Sequence, residues 1–273
     1  RNLQPRLPIL VTCVAFSGNG EKLLAGSEID PSGMGTIHAW DLRQPQEPAR
    51  VMKQKGVVAE IAVDQEGVFA TSIYGGDPIN SKGADGAATT WDLRLGTQVG
   101  DPIVVDKGLL HVAIESKQEL VALGMTNGLV FVGSFRNGGE VLPPLSHSSS
   151  ISSLAFSADG KSIVVGDGGG FVYHWELATG KLLFPQRQHK GDILKAVPAA
   201  DSSLVVSVSR QGEFSVFDSK TQALQTARLK YTIDDAKVSR DGSLLIIAPR
   251  GVQAVQVWDI HERMSERRFV DIL

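Results

Sequence analysis

The sequence predicts an all-β chain, a β-propeller built from copies of one small four-stranded antiparallel sheet. Three observations predict it: an internal period of about 42 residues, apolar runs of strand length separated by glycine turns, and an aromatic–acid pair that returns once per period.

The period is read from the tryptophans. Trp91, Trp175 and Trp258 are separated by 84 and 83 residues, and halving those gaps marks positions 133 and about 217. Position 217 is Phe217, followed by Asp218, while position 133 is Gly133 at the end of LVFVG, a degenerate copy. Trp40 precedes Trp91 by 51 residues, and the surplus of about nine is explained by the segment 75–87.

Each unit has the same grammar of strand, polar turn, apolar strand, glycine turn, and a third strand ending in an aromatic and an acid. The first reads TCVAF, SGNGEK, LLAGS and TIHAWDLR. The second and third are looser, with AEIAVDQEG, VFATSIY and ATTWDLR, then HVAIESKQE, LVALGM and LVFVG. The fourth gives SSLAF, SADGK, SIVVGD and FVYHWELATG, and the fifth ILKAV, PAADSS, LVVSVS and EFSVFDS. The sixth gives DDAKVSRDG, SLLIIA and AVQVWDI, with the tail SERRFVDIL available as its outer strand.

Gly20, Gly160 and Gly242 fall where a tight turn needs positive φ. No segment holds a capped 3.6-residue apolar pattern, so no helix is expected, and residues 220–230 are read as a turn plus an outer strand. A sheet of four short strands cannot bury both faces alone, and stacking such sheets around an axis solves this. Six units are visible, which predicts six or seven blades in the intact domain, with residues 1–273 as one domain. The first residue is not Met, which leads to the expectation that the chain is part of a longer protein.

The pairs Trp40-Asp41, Trp91-Asp92 and Trp258-Asp259, with the variants Trp175-Glu176 and Phe217-Asp218, resemble the signature of the WD-repeat family over residues 11 to about 260. That resemblance implies units offset by one strand, an outer strand first and then three strands of the next blade. It also implies a hydrogen-bonded set of His, Ser or Thr, Asp and Trp that braces each blade. Asp85 matches the turn acid of the second unit, Gly169 stands at that place in the fourth, and His189 matches the interblade histidine loosely. With so few complete sets, the blades are expected to lean on apolar packing more than on the polar brace.

Bulk properties narrow the function classes. There are 27 basic and 30 acidic residues, and a net charge of −3 gives no electrostatic reason for nonspecific binding to nucleic acid or anionic membrane. Cys13 is the single thiol, so no intrachain disulfide is possible, and a reducing, intracellular setting is expected, cytoplasmic or nuclear. No apolar run is long enough to span a membrane, and residues 1–10 do not read as a signal sequence.

Two features are candidate partner-binding sites. The segments 27–35 and 75–87 are read as insertions between second and third strands, with Asp30, Pro31, Asp77, Pro78 and Lys82 as their distinctive residues. A neutral surface expansion is the bland reading of both. The repeated WDLR places Arg43 and Arg94 at matching positions, where Ala178, Lys220 and His261 stand in other units. It is similar to the WD-x-R signature of substrate receptors of cullin-4 ubiquitin ligases, which implies an adaptor as partner. Arginines that balance nearby acids are the alternative.

No nucleophile elbow, phosphate loop or metalloprotease motif is present, and the six histidines are scattered over different units. The glycine run 166–170 lacks the lysine and helix of a phosphate site and reads as a turn. No catalytic residue, cofactor or metal is assigned. The expected function is a noncatalytic scaffold that binds proteins or peptides. A ubiquitin-ligase substrate receptor is the first alternative and a propeller enzyme the second.

Overall fold

The computed structural model describes residues 10–74, 86–105, 108–199, 203–239, 243–251, 254–260 and 265–271. Among them every regular element is a strand, and no helix is long and apolar enough to cross a membrane. The first sheet is β1 (Val11–Phe16), β2 (Lys22–Ile29), β3 (Met34–Asp41) and β4 (Arg50–Lys55). The second is β5 (Glu60–Val63), β6 (Phe69–Tyr74), β7 (Gly86–Asp92) and β8 (Thr97–Val105). The third is β9 (Leu109–Glu115), β10 (Leu120–Met125), β11 (Leu129–Ser134) and β12 (Glu140–Ser146).

In the fourth sheet β13 (Ile151–Phe156), β14 (Ser162–Asp167) and β15 (Phe171–Glu176) are followed by an outer edge split into β16 (Lys181–Leu182) and β17 (Arg187–Gln188). The fifth is β18 (Ile193–Pro198), β19 (Leu204–Ser209), β20 (Glu213–Asp218) and β21 (Leu224–Arg228). The sixth is β22 (Ile233–Val238), β23 (Leu244–Pro249), β24 (Ala254–Asp259) and β25 (Ser265–Asp271), so the tail supplies the outer strand as expected. In every sheet the strands lie in chain order and each hairpin is antiparallel, which lets short glycine turns make the connections.

Register confirms the repeat residue by residue. Trp40 pairs with Leu23, Trp91 with Ala70, Trp175 with Ile163, Phe217 with Val205 and Trp258 with Leu245, each time the second residue of the second strand. Gly133 pairs with Val121, the same place in the degenerate third unit. A side chain there would collide with the ring of Phe131, which covers the position where the other blades carry an aromatic.

The expected insertion at 27–35 is largely strand. β2 runs to Ile29 and β3 starts at Met34, so the turn is confined to residues 30–33, and the extra length lengthens the hairpin through a register shift between Gly26 and Ile29. Residues 75–85, which hold Asp77, Pro78, Lys82 and Asp85, lie outside the described residues, as does Gly242. Gly20 and Gly160 have φ of 73° and 68°, as their turns require.

The chain divides into two compact units, residues 1–126 with 130–144, and 127–129 with 145–273. In the first, β1 packs on β5 and β5 on β9; in the second, β13 packs on β18 and β18 on β22. Leu24, Ile37 and Met52 of the first blade meet Val58, Ile61 and Trp91 of the second. In the second unit Val164 and Val172 meet Ile193 and Ala196, and Val206 and Phe214 meet Ile233 and Ala236. Gly26 and Gly166 let this happen, since a Cβ on either would run into Val58 or Ile193 of the next blade.

One inner-strand position departs from the pattern. Ile61, Val112, Leu154, Ala196 and Ala236 share a register place and are at most 7 % exposed, whereas Val14 at the same place is 65 % exposed and Phe16 beside it 61 %.

Candidate functional site

The WDLR corners share one arginine–aspartate fold-back, to which the first adds Glu21 on Arg43 Nη1 (3.2 Å) and Lys22 on Asp41 Oδ2 (2.8 Å). Asp41 Oδ1 accepts the backbone N–H of Arg43 (3.0 Å) and its Nε–H (3.2 Å), and Oδ2 accepts Nη2–H (3.0 Å). Asp92 does the same for Arg94, at 2.8, 3.3 and 2.8 Å. The guanidinium is a rigid planar fork that matches a carboxylate, and a two-residue spacing across a turn lets it fold back. Arg43 first, then Lys22, holds the Asp41 carboxyl well below the usual carboxylate range, and Arg94 does so for Asp92. Both arginine side chains stay more than half exposed. Arg50 Nη1 donates to the Leu95 carbonyl (2.9 Å), tying the outer strand of the first blade to the corner of the second, beside the exposed Leu95 side chain. The structure therefore places Arg43 and Arg94 at equivalent corners, each paired with its own aspartate, and Arg43 with Glu21 as well.

Asp30 organises its own hairpin. Its Oδ1 accepts from the Ser32 N–H (2.9 Å), the Ser32 hydroxyl and the Met34 N–H (3.1 Å), and its Oδ2 takes Lys53 Nζ (3.3 Å). The Ser32 hydroxyl is the largest cause of a carboxyl pKa lowered to about 2. Pro31 is exposed at the tip.

The polar brace is better developed than the sequence suggested. In the fourth blade the Trp175 indole N–H donates to His147 Nε2 (3.0 Å), and the proton on His147 Nδ1 goes to the Gly128 carbonyl (2.9 Å). The turn acid is Asp167, two residues before Gly169; it accepts from the Ser148 hydroxyl (2.8 Å), the Gly169 and Phe171 N–H groups and the Tyr173 hydroxyl. In the fifth, His189 Nε2 meets the hydroxyls of Ser207 (2.8 Å) and Ser215 (3.2 Å), because Phe217 has no N–H to offer. In the second, the Trp91 indole donates to Ser72 Oγ (2.9 Å), and the Ser72 hydroxyl donates to Gln54 Oε1. Apolar packing is thus joined by a brace in three blades: the fourth has His147, Ser148, Asp167 and Trp175, the fifth has Phe217 in place of tryptophan, and in the second Gln54 makes the serine contact that histidine makes in the fifth. Sequence reasoning missed His147, Ser72 and Gln54. The 42-residue spacing of His147 and His189 was the available signal.

Burial pushes the imidazoles of His147 and His189 down, and that of His174, whose Nε2 meets Ser162 Oγ at 2.8 Å, down to about 4. Gly128, Gly170 and Gly212, spaced by 42 residues, open the third strands with φ of 82°, 85° and 85°. Their carbonyls accept the N–H groups of His147, His189 and Leu229, so the same turn seats each interblade segment.

Two clefts lie at equivalent places along the outer strands. One, about 370 Å³, is lined by Met34, Gln54, Lys55, Tyr74, Trp91 and Val104. The other, about 250 Å³, is lined by Arg187, Gln188, His189, Glu213, Ser215 and Leu224. Gln54 pairs with Gly35 and Arg187 with Val172, each the second residue of its third strand. The Arg187 guanidinium lies 4.3 Å from the Phe217 ring centroid. Among the described residues no three His, Cys, Asp or Glu side chains gather in a way that could hold a metal ion.

Comparison with known proteins follows this geometry. The family described as WD domain, G-beta repeat matches residues 140–176, which run from β12 through β15 and include both His147 and Trp175. A curated relative, the Periodic tryptophan protein 2 homolog of Dictyostelium discoideum, is 27 % identical over 114 residues, covering 41 % of this chain and 12 % of that protein. The chain thus matches only a small part of that relative's length. The Cps50 (Swd1) β-propeller domain of Myceliophteria thermophila superposes with a TM-score of 0.76 at 14 % identity, covering 96 % of this chain and 85 % of that one. A chain in the crystal structure of a mitotic checkpoint complex gives 0.77 at 12 % identity, with coverages of 100 % and 83 %. The chain has the β-propeller fold of these solved neighbours, and its matched repeat and recurring Trp-Asp corners are similar to those of the WD domain, G-beta repeat family.

Proposed function

We propose that this chain is a noncatalytic scaffold that binds proteins or peptides within a larger assembly, and that the arginine corners of the first two blades form one contact. The observation that carries this reading is the matched presentation of Arg43 and Arg94. Two forks, each fixed by its own aspartate, stand at equivalent corners with Leu95 exposed beside one of them. Fixing a long side chain before association lowers the entropy lost on binding, and arginine with an apolar neighbour is a common anchor pair. A solved neighbour whose title names a multiprotein complex supports the scaffold reading.

Affinity purification of the full-length protein followed by mass spectrometry tests it. Arg43→Glu/Arg94→Glu should deplete a defined subset of partners, and an unchanged partner set would remove the arginine corners from the proposal.

The shared WDLR sequence and geometry also favour a narrower reading, a substrate receptor that docks on a cullin-4 ligase adaptor. Co-purification of the adaptor with wild type and its loss with Arg43→Ala/Arg94→Ala is the expected result. Equal recovery with both proteins overturns this narrower reading alone.

A further inference from the structure

The cleft beside Trp91 holds a buried donor that its own network leaves over. An indole N–H can only donate, and that of Trp91 goes to Ser72 Oγ. The single hydroxyl proton of Ser72 has two acceptors in reach, Gln54 Oε1 and, at 3.4 Å, the Thr89 carbonyl; the much shorter contact takes it, and the amide oxygen then faces inward. Gln54 is 4 % exposed, lines the cleft, and its Nε2 has no hydrogen-bond partner among the described residues. Buried N–H groups are as a rule paired, so this one points to an acceptor brought from outside.

The surroundings define that acceptor. Lys53 and Lys55 flank Gln54 in the cleft wall, and none of the described lining residues is acidic. Lys53 is engaged by Asp30, whereas Lys55 makes no ion pair among the described residues. Met34, Tyr74, Trp91 and the exposed Val104 supply apolar walls. The equivalent cleft in the second unit also has a buried unpartnered donor, Arg187 Nε, but differs in its charge and its floor. Arg187 fills its floor against Phe217, and Glu213 supplies a negative charge of its own.

We propose that the cleft between β4 and β8 binds an acidic peptide segment. One carboxylate accepts from the Gln54 amide and pairs with Lys55, and a neighbouring apolar side chain packs on Trp91 and Val104. The two donors suit the two oxygens of a carboxylate, and the apolar walls suit a peptide better than a free anion. This surface is separate from the arginine corners, and its failure would leave that reading untouched.

The test is titration of the isotope-labelled chain with a capped peptide of alternating leucine and glutamate, followed through the Trp91 indole and Gln54 side-chain amide signals. Saturable shifts of both are expected, with about tenfold weaker binding of the leucine–glutamine peptide. Lys55→Met, an exposed change that keeps the fold, should weaken binding by about tenfold and remove most of its salt dependence. A variant with residues 76–84 replaced by a short Gly-Ser link covers the case in which the chain's own segment occupies the cleft, and binding that emerges only there supports the assigned chemistry. Absence of shifts in both wild type and that variant overturns the proposal. So does equal binding of the two peptides, or wild-type affinity in Lys55→Met.

Discussion

The indole N–H of Trp175 donates to Nε2 of His147 at 3.0 Å, a bond that exists only while the imidazole is neutral with its proton on Nδ1. Burial lowers the pKa of His147, His174 and His189, so over mildly acidic pH the folded chain binds fewer protons than the unfolded one. Their contribution is complete above the unfolded value of about 6.5 and is lost as pH falls through the folded values, toward about 4 for His174. Each such histidine adds up to about 1.4 kcal/mol of destabilisation per pH unit inside that window. Urea midpoints between pH 7.5 and 4.5 should therefore fall, and His174→Gln should flatten the decline. Equal slopes for variant and wild type would refute the assignment.

Gly170→Ala should cost about 3 kcal/mol, against about 1 kcal/mol for Gly20→Ala. Both residues have positive φ, but a Cβ at Gly170 would stand 2.6 Å from the His189 carbonyl oxygen and 2.7 Å from that of Gly191, whereas nothing lies within 4 Å at Gly20. Thermal melts of the two variants provide the comparison, and similar losses would mean that backbone strain alone decides both.

Val14→Ala should change stability by no more than about 0.5 kcal/mol, while Ile61→Ala, at the same register place one blade later, should cost about 3 kcal/mol. The difference comes from burial, since both are β-branched residues in an inner strand. Equilibrium denaturation of the pair checks it, and a large loss from Val14→Ala would mean that this face is covered in solution.

Arg187 and Phe217 should be coupled by about 1 kcal/mol in a double-mutant cycle with Arg187→Met and Phe217→Leu. Arg187→Lys should recover only part of that energy, because an ammonium lacks the planar face that stacks on the ring. Full recovery by lysine would identify the interaction as charge alone.

The fold was legible because its determinants are local and periodic. The anchors predicted at 133 and 217 fall on the same register place as Trp40 and Trp91, and a degenerate glycine could be found by counting. The brace was harder to read because its members come from different blades. Gln54 lies 18 residues before Ser72, and the pairing becomes visible only when β4 is set against β6. Asp167 was missed because a Gly-rich turn follows it, which moved the acid two places from the expected one. The fold-back of Arg43 and Arg94 was readable, since a two-residue spacing from aspartate already allows the bidentate contact that the structure shows.

Gly128, Gly170 and Gly212 recur at one fixed interval, each seated under carbonyl groups of the segment that follows its sheet. That regularity restricts how such a gene can change length. Duplicating or losing one whole interval returns a glycine to a matching seat, so a change in copy number keeps this turn intact. A shift of one or two codons is instead absorbed only in a turn, as between Phe217 and Trp258, which stand 41 residues apart.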